Sequence, residues 1–377
     1  MSKIVFVVQD CAVGGGTSSL SSLYSHIKDD YDIEVFQLTG YGDANVSYGD
    51  VIRRASWFCN AYYSSYRLQK GQYKVLALFV KMLSRVFPSV IKFSVRKFQR
   101  EHKNVNCVIS FGEGPAAEFV SNVRKIRKIT WIHYDITHYP ADKKDLRLYS
   151  RFDSIVCVSS NVAVGMMQMY PDLKDKIVGI HNLVDTERVL RLSQETIKVT
   201  DQYLFDNPFT IISIGRVCSV KRFDLIPKIA SALKHNGIEF KWILVGPADN
   251  LNELNKFQES ISINGVSDCV CWIGQRVNPY SYLSHANLLV STSETEACPM
   301  IFIESKILNV PIVAANMLTA EEFVQDGTDG LIVPINQMSD AIMQLITDPI
   351  RYESLKQKTD SRLINDIALA TFRRIVQ

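Results

Sequence analysis

Leu288-Leu289-Val290-Ser291 runs into Thr292-Ser293-Glu294-Thr295-Glu296-Ala297-Cys298 and then into Pro299-Met300-Ile301-Phe302-Ile303-Glu304. The first four residues have the composition of a short buried strand, and proline is suited to the first position of a helix, so the stretch reads as strand, loop and helix. The free backbone amides of Ala297, Cys298, Met300 and Ile301, around Pro299, would then form an anion site at a helix N-terminus. Glu296 sits in the loop just before that site and Glu304 more than a turn further on. A carboxylate accepts two hydroxyl hydrogen bonds at once, so the two glutamates suit two sets of sugar hydroxyls with a phosphate between them.

The same unit recurs upstream. A strand over 209–214 ends in Gly215-Arg216-Val217-Cys218-Ser219-Val220-Lys221-Arg222. Arg216 and Lys221 leave one strand end ahead of an amphipathic helix, and a planar fork beside a point charge suits a diphosphate. Further strands read at 241–246, 270–274, 311–315 and 330–333. The first half alternates in the same way, with strands at 4–8, 33–38, 106–111, 128–133, 154–158 and 177–180. Such alternation predicts an α/β protein with two Rossmann-like, doubly wound parallel sheets facing an interdomain cleft, ligands lying outside the carboxyl ends of the strands. The 377 residues also fit two domains. Their expected extents are 1–185 and 186–359, with the polar stretch 183–207 as linker.

Composition bounds the function. Apolar residues make up 47% and charged residues 21%, which excludes a disordered or fibrous chain. The longest uncharged run in the most apolar stretch, 75–80, is too short to span a bilayer. The N-terminal apolar run passes straight into a glycine loop, as a first strand would and a secretory leader would not, so a cytoplasmic protein is expected. Eight cysteines show no Cys-x-x-Cys spacing and no zinc-spaced histidine partner, and read as core thiols. Net charge is +3, but 51–103 holds twelve lysines and arginines against the single acid Glu101. The segment also carries ten aromatics, among them Trp57, Tyr62, Phe87, Phe93 and Phe98. This mixture fits a surface lying on anionic lipid, or a helical face whose aromatics point into the core. No nucleic-acid-binding signature accompanies it.

Two glycine loops follow strands in the first half. Val13-Gly14-Gly15-Gly16-Thr17 allows close approach of backbone amides to a ligand, with Gly15 and Gly16 at its centre. Gly112-Glu113-Gly114-Pro115-Ala116-Ala117 matches a dinucleotide pattern, with Asp135 downstream, but comes late in the domain and reads as turn chemistry.

Together these motifs resemble the retaining GT-B glycosyltransferases of family 4, over nearly the whole chain. The resemblance implies that Gly215, Arg216 and Lys221 hold a nucleotide diphosphate, that Glu296 contacts the transferred sugar, and that Glu304 contacts the ribose. Arg276, in Trp272-Ile273-Gly274-Gln275-Arg276, would frame the base. His133, in Trp131-Ile132-His133-Tyr134-Asp135, would face the donor sugar, and the Gly14 to Gly16 loop would lie near the acceptor. Ile180-His181-Asn182-Leu183-Val184-Asp185 is similar to the family's interdomain turn, and a last helix, about 360–377, would cross back to the first domain. Arg222 and Ala297 stand where the family often has glycine, and a β-carbon at Ala297 narrows the space beside the sugar.

The implied activity is transfer of a sugar from a UDP-sugar to an acceptor hydroxyl with retention, and the implied acceptor is a lipid-linked saccharide or a lipopolysaccharide or surface-polysaccharide intermediate. The enzyme would work peripherally on the inner face of the cell membrane. No cofactor is expected beyond the donor substrate, and no metal, since the only Asp-x-Asp, Asp30-Tyr31-Asp32, precedes a strand instead of following one. The alternatives are an NAD-dependent oxidoreductase using 112–117 and a non-catalytic sugar-nucleotide binder.

Overall fold

The computed structural model describes residues 1–11, 14–39, 51–55, 89–356 and 361–377. The aromatic and basic residues read from 56–88, and Cys59, lie outside the described residues. The chain forms two compact units, one of Met1–Leu183 with Ile364–Gln377, the other of Val184–Leu363.

Unit 1 is built on β1 (Lys3–Val8), β2 (Asp32–Gln37), β3 (Ile52–Arg54), β4 (Cys107–Phe111), β5 (Arg127–Ile132), β6 (Ser154–Cys157) and β7 (Ile177–Gly179). They lie in the order β3-β2-β1-β4-β5-β6-β7, and every neighbouring pair is parallel. Its helices are α1 (Gly15–Ile27), α2 (Ser89–Glu101), α3 (Pro115–Ser121), α4 (Lys143–Tyr149) and α5 (Ser160–Met169). The short β3 is a strand that the apolar pattern did not reveal, because Arg53 and Arg54 are exposed on the sheet edge.

Unit 2 opens with α6 (Thr186–Ser193), where a linker was expected. Asp185 caps it by accepting the amide of Arg188 at 2.9 Å, which places Val184 and Asp185 with this unit instead of the first. The sheet comprises β8 (Thr210–Ile214), β9 (Lys241–Val245), β10 (Val270–Trp272), β11 (Leu288–Ser291), β12 (Ile312–Ala315) and β13 (Gly330–Val333), in the order β10-β9-β8-β11-β12-β13, again all parallel. Between and after these strands run α7 (Ile226–His235), α8 (Leu251–Ile263), α9 (Tyr280–His285), α10 (Met300–Ile307), α11 (Ala320–Phe323), α12 (Met338–Thr347) and α13 (Pro349–Ser354).

Apolar runs form these strands because both faces are covered. In unit 2 Ile211, Trp242, Leu244, Leu288 and Val290 pack into one core, while Ile212, Ile243, Val245 and Leu289 pack into another. Alternate residues of one strand thus feed opposite layers. The final helix, α14 (Ser361–Val376), belongs mostly to unit 1: Phe372 is buried against Trp131, and Arg127 Nε donates to the Ile375 carbonyl at 2.7 Å.

Each sheet reverses its strand order once, between β1 and β4 in unit 1 and between β8 and β11 in unit 2. The crevice at such a point is where open α/β sheets bind ligands.

Candidate active site

The loops leaving β8 and β11 meet at the switch point of unit 2. After Gly215 the chain passes Arg216 and Val217 into a 3₁₀ turn, Ser219–Lys221, and Arg222 follows in a left-handed conformation at φ 50°. Lys221 Nζ reaches Glu296 Oε1 at 2.8 Å. Both side chains are largely covered, at 21% and 13% exposure, so this pair is much less screened than a surface one. Their loops are tied by the backbone as well: Glu294 N donates to Val220 O at 2.9 Å and Thr292 Oγ1 to Lys221 O at 2.8 Å.

Glu296 is further fixed by Ser293 Oγ, which donates to Oε1 at 2.7 Å, and by Thr319 Oγ1, which donates to the Glu296 carbonyl at 2.7 Å. Ser293 could have been suspected from its position in the motif. Thr319 lies 23 positions away and leaves no local signal.

Arg216 stands apart, 63% exposed and paired with Asp249 at 3.0 Å. Its loop is held against the neighbouring strand ends. Gly215 N donates to Val245 O and Val217 N to Pro247 O, both at 2.9 Å, and Gly246 N donates to Gly274 O at 2.9 Å.

The helix after the second loop begins one residue later than expected. Pro299 is the cap, with ψ 81°, and α10 starts at Met300. The Met300 amide donates to the Cys298 carbonyl at 2.9 Å, which withdraws it from the anion site foreseen at 297–301. Ala297 is buried, while Cys298 and Ile301 are half-buried. Glu304 is on α10. Burial pushes its carboxyl above the ordinary range, opposed by a hydrogen bond from Tyr280 Oη at 2.8 Å and by the charge of Arg188.

Arg276 is turned into the protein. Its Nε donates to Asp201 Oδ2 at 2.9 Å and to Tyr282 Oη at 3.1 Å, and Nη1 donates to the Ile273 carbonyl. Burial works against ionisation of Asp201, but the hydrogen bonds from Tyr282 and Arg276 outweigh it and hold the carboxyl low. The guanidinium expected to frame a base thus braces the loop after β10. Sequence reading missed Asp201 because 183–207 looked like linker.

A groove of about 360 Å³ opens beside the β8 loop, lined by Cys218, Arg222, Asp224, Lys256 and Glu294 among others. None of Lys221, Glu296 and Glu304 lines it, and its cations are matched by acids, Arg222 with Asp224 at 3.2 Å and Lys256 with Glu253 at 3.1 Å.

In unit 1 a groove of about 260 Å³ lies at the carboxyl ends of β1 and β4, lined by Asp10, Cys11, Gly14, Gly16, Thr17 and Phe111 among others. Gly15 starts α1, with Gly14 as its cap. His133 follows β5, its ring 4.6 Å from that of Phe111. Its Nε2 is buried with no hydrogen-bond partner among the described residues, and burial lowers the imidazole to about 4. Glu113 accepts the backbone amides of His133 and of Tyr134, the latter at 3.1 Å, so the glycine loop that resembled a dinucleotide fingerprint is a brace for the His133 strand end.

Two Rossmann-like units, with charged loops at the switch point of the second, define the GT-B architecture. Residues 195–362 match the model of the family described as glycosyl transferases group 1, a span that lies within unit 2. The chain is 21% identical over 293 residues to the poly(ribitol-phosphate) alpha-N-acetylglucosaminyltransferase of Staphylococcus aureus, covering 76% of this chain and 58% of that one. It is 24% identical over 259 residues to the lipopolysaccharide core biosynthesis glycosyltransferase LpsE of Rhizobium meliloti, covering 67% and 69%. A 26% match to an uncharacterized glycosyltransferase of Methanocaldococcus jannaschii spans only 36% of that protein's length. Among solved structures, Anabaena HepE in complex with UDP and glucose superposes with a TM-score of 0.77 at 17% identity, over 99% of this chain and 100% of that one.

Proposed function

We propose that the protein transfers a sugar, with retention, from a UDP-sugar to a hydroxyl of a lipid-linked saccharide or a lipopolysaccharide or surface-polysaccharide intermediate. The observation that carries the reading is the covered Lys221–Glu296 pair at the switch point of unit 2. A cation there can take up charge on a departing diphosphate, and a carboxylate fixed by Ser293 can orient the sugar hydroxyls. Arg216 adds a second cation to the same loop, Glu304 takes the ribose, and the backbone of 273–275 borders the base. No metal is needed in this scheme, because the lysine, the arginine and backbone amides supply the positive potential. His133 and the Gly15 and Gly16 turn serve the sugar and the acceptor. Complexes of HepE and of the Staphylococcus aureus TarM with UDP support the choice of nucleotide, and the names of LpsE and the poly(ribitol-phosphate) enzyme support a cell-surface glycan acceptor.

Glu296→Ala and Lys221→Ala are each expected to lower turnover of a UDP-sugar by more than about tenfold with the fold intact, the scale of ~1.4 kcal/mol of transition-state stabilisation. Wild-type rates in both variants would remove the site assignment.

The acceptor side adds a membrane contact to the proposal. On α2 the exposed face presents Lys92, Phe93, Arg96, Lys97 and Arg100, with Arg53 and Arg54 exposed on β3, while Val95 and Phe98 are buried. A cationic face bearing a 57%-exposed phenylalanine suits an anionic lipid surface. No helix among the described residues is long and apolar enough to cross a membrane. Co-sedimentation with vesicles containing phosphatidylglycerol is expected at low salt and should be lost in Arg96→Glu/Arg100→Glu; a chain that ignores such vesicles contradicts the lipid contact.

A further inference from the structure

Glu304 is held by a neighbour that no motif marks. Tyr280 begins α9, is 7% exposed, and donates its hydroxyl to Glu304 Oε1 at 2.8 Å. The tyrosine is itself fixed. Its amide donates to Asn278 Oδ1 at 3.0 Å, and Asn278 Nδ2 donates to the Leu192 carbonyl at 2.7 Å and to Glu195 at 2.9 Å. The start of α9 is thereby tied to the end of α6, the helix that also carries Arg188, whose charge acts on Glu304.

A glutamate side chain has three torsions to freeze before it can receive a diol, and a hydrogen bond already made to one oxygen removes part of that cost. The oxygen left over is then committed to whatever donor the ligand brings. A ligand without that donor leaves a partly buried carboxylate oxygen unpaired, which is more costly than a missing contact in water. We propose that Tyr280 is a positioning residue that pins one oxygen of Glu304 and presents the other to the ribose, so that the site selects ribonucleotides over deoxy forms. The inference rests on the assignment of Glu304 to the ribose made above.

The test is calorimetric binding of UDP, 2′-deoxy-UDP and 3′-deoxy-UDP to the wild type, Tyr280→Phe, Glu304→Gln and the double variant. The wild type is expected to favour UDP over at least one deoxy form by about tenfold or more. Tyr280→Phe is expected to weaken UDP about fivefold while leaving that deoxy form within about twofold, and to add nothing in the Glu304→Gln background. Discrimination is a ratio measured on one preparation, so a reduced folded fraction does not imitate its loss. Equal weakening of all three nucleotides, or additive losses in the double variant, would make Tyr280 a packing residue and overturn the proposal. A wild type that binds UDP and both deoxy forms equally, or does not bind UDP, would instead overturn the ribose assignment beneath it.

Discussion

A buried imidazole is costly to protonate, and His133 is buried with its Nε2 unpaired among the described residues. Burial holds it at about 4 against an ordinary 6.5. The unfolded chain therefore binds the proton more readily, so the stability this residue supports is complete above about pH 6.5 and is lost as pH falls toward 4. At about 1.4 kcal/mol per unit the loss is roughly 3 kcal/mol. The neighbouring Glu113 carboxyl, raised by burial, titrates in the opposite sense, so the clean quantity is a difference. Urea unfolding of wild type and His133→Asn should show the wild type losing about 3 kcal/mol relative to the variant between pH 6.5 and 4. Parallel pH profiles would contradict the neutral, desolvated histidine. Residues of this kind were half legible. His133 could be picked from its strand end, and Lys221 and Glu296 from their loops. Glu113, Asp201 and Tyr280 could not, because their bonds join segments 20 or more positions apart.

Among the elements, the strand ends of β8, β9 and β10 pack closely beneath the Gly215 loop of the candidate donor site. Gly246 adopts φ +147°, and a β-carbon there would collide with the Gly215 carbonyl oxygen. Two backbones can lie so close only because one residue has no side chain. Gly246→Ala must push the Gly215 loop, and with it Arg216 and Lys221, out of place. The expected result is UDP binding weakened by more than about tenfold, together with a loss of about 2 kcal/mol or more in urea unfolding. Unchanged UDP affinity would show that the packing of these loops is irrelevant to the site. The pattern of apolar runs located every long strand to within two residues, since a sheet covered on both faces writes itself as continuous hydrophobicity. It failed at α6, which exposes half of its residues and fully buries only Val189, and so has the composition of a linker. It also misplaced the start of α10, where a cap conformation at Pro299 is not encoded by the proline alone.

For the molecule as a whole, the two sheets share one logic, in which a single reversal of strand order locates each groove or charged loop. That logic was readable from the alternation of strands and helices. The return of α14 to unit 1 was not: it followed from resemblance, and its physical basis is the burial of Phe372 and the Arg373 contact with Asp30 at 2.9 Å. Sugar-nucleotide use by unit 2 is the central claim, and calorimetric titration of the wild type and Lys221→Ala with UDP and with NAD tests it most directly. UDP should bind the wild type, bind Lys221→Ala more than about tenfold more weakly, and NAD should bind neither. Binding of NAD in place of UDP, or UDP affinity indifferent to the lysine, would contradict the claim.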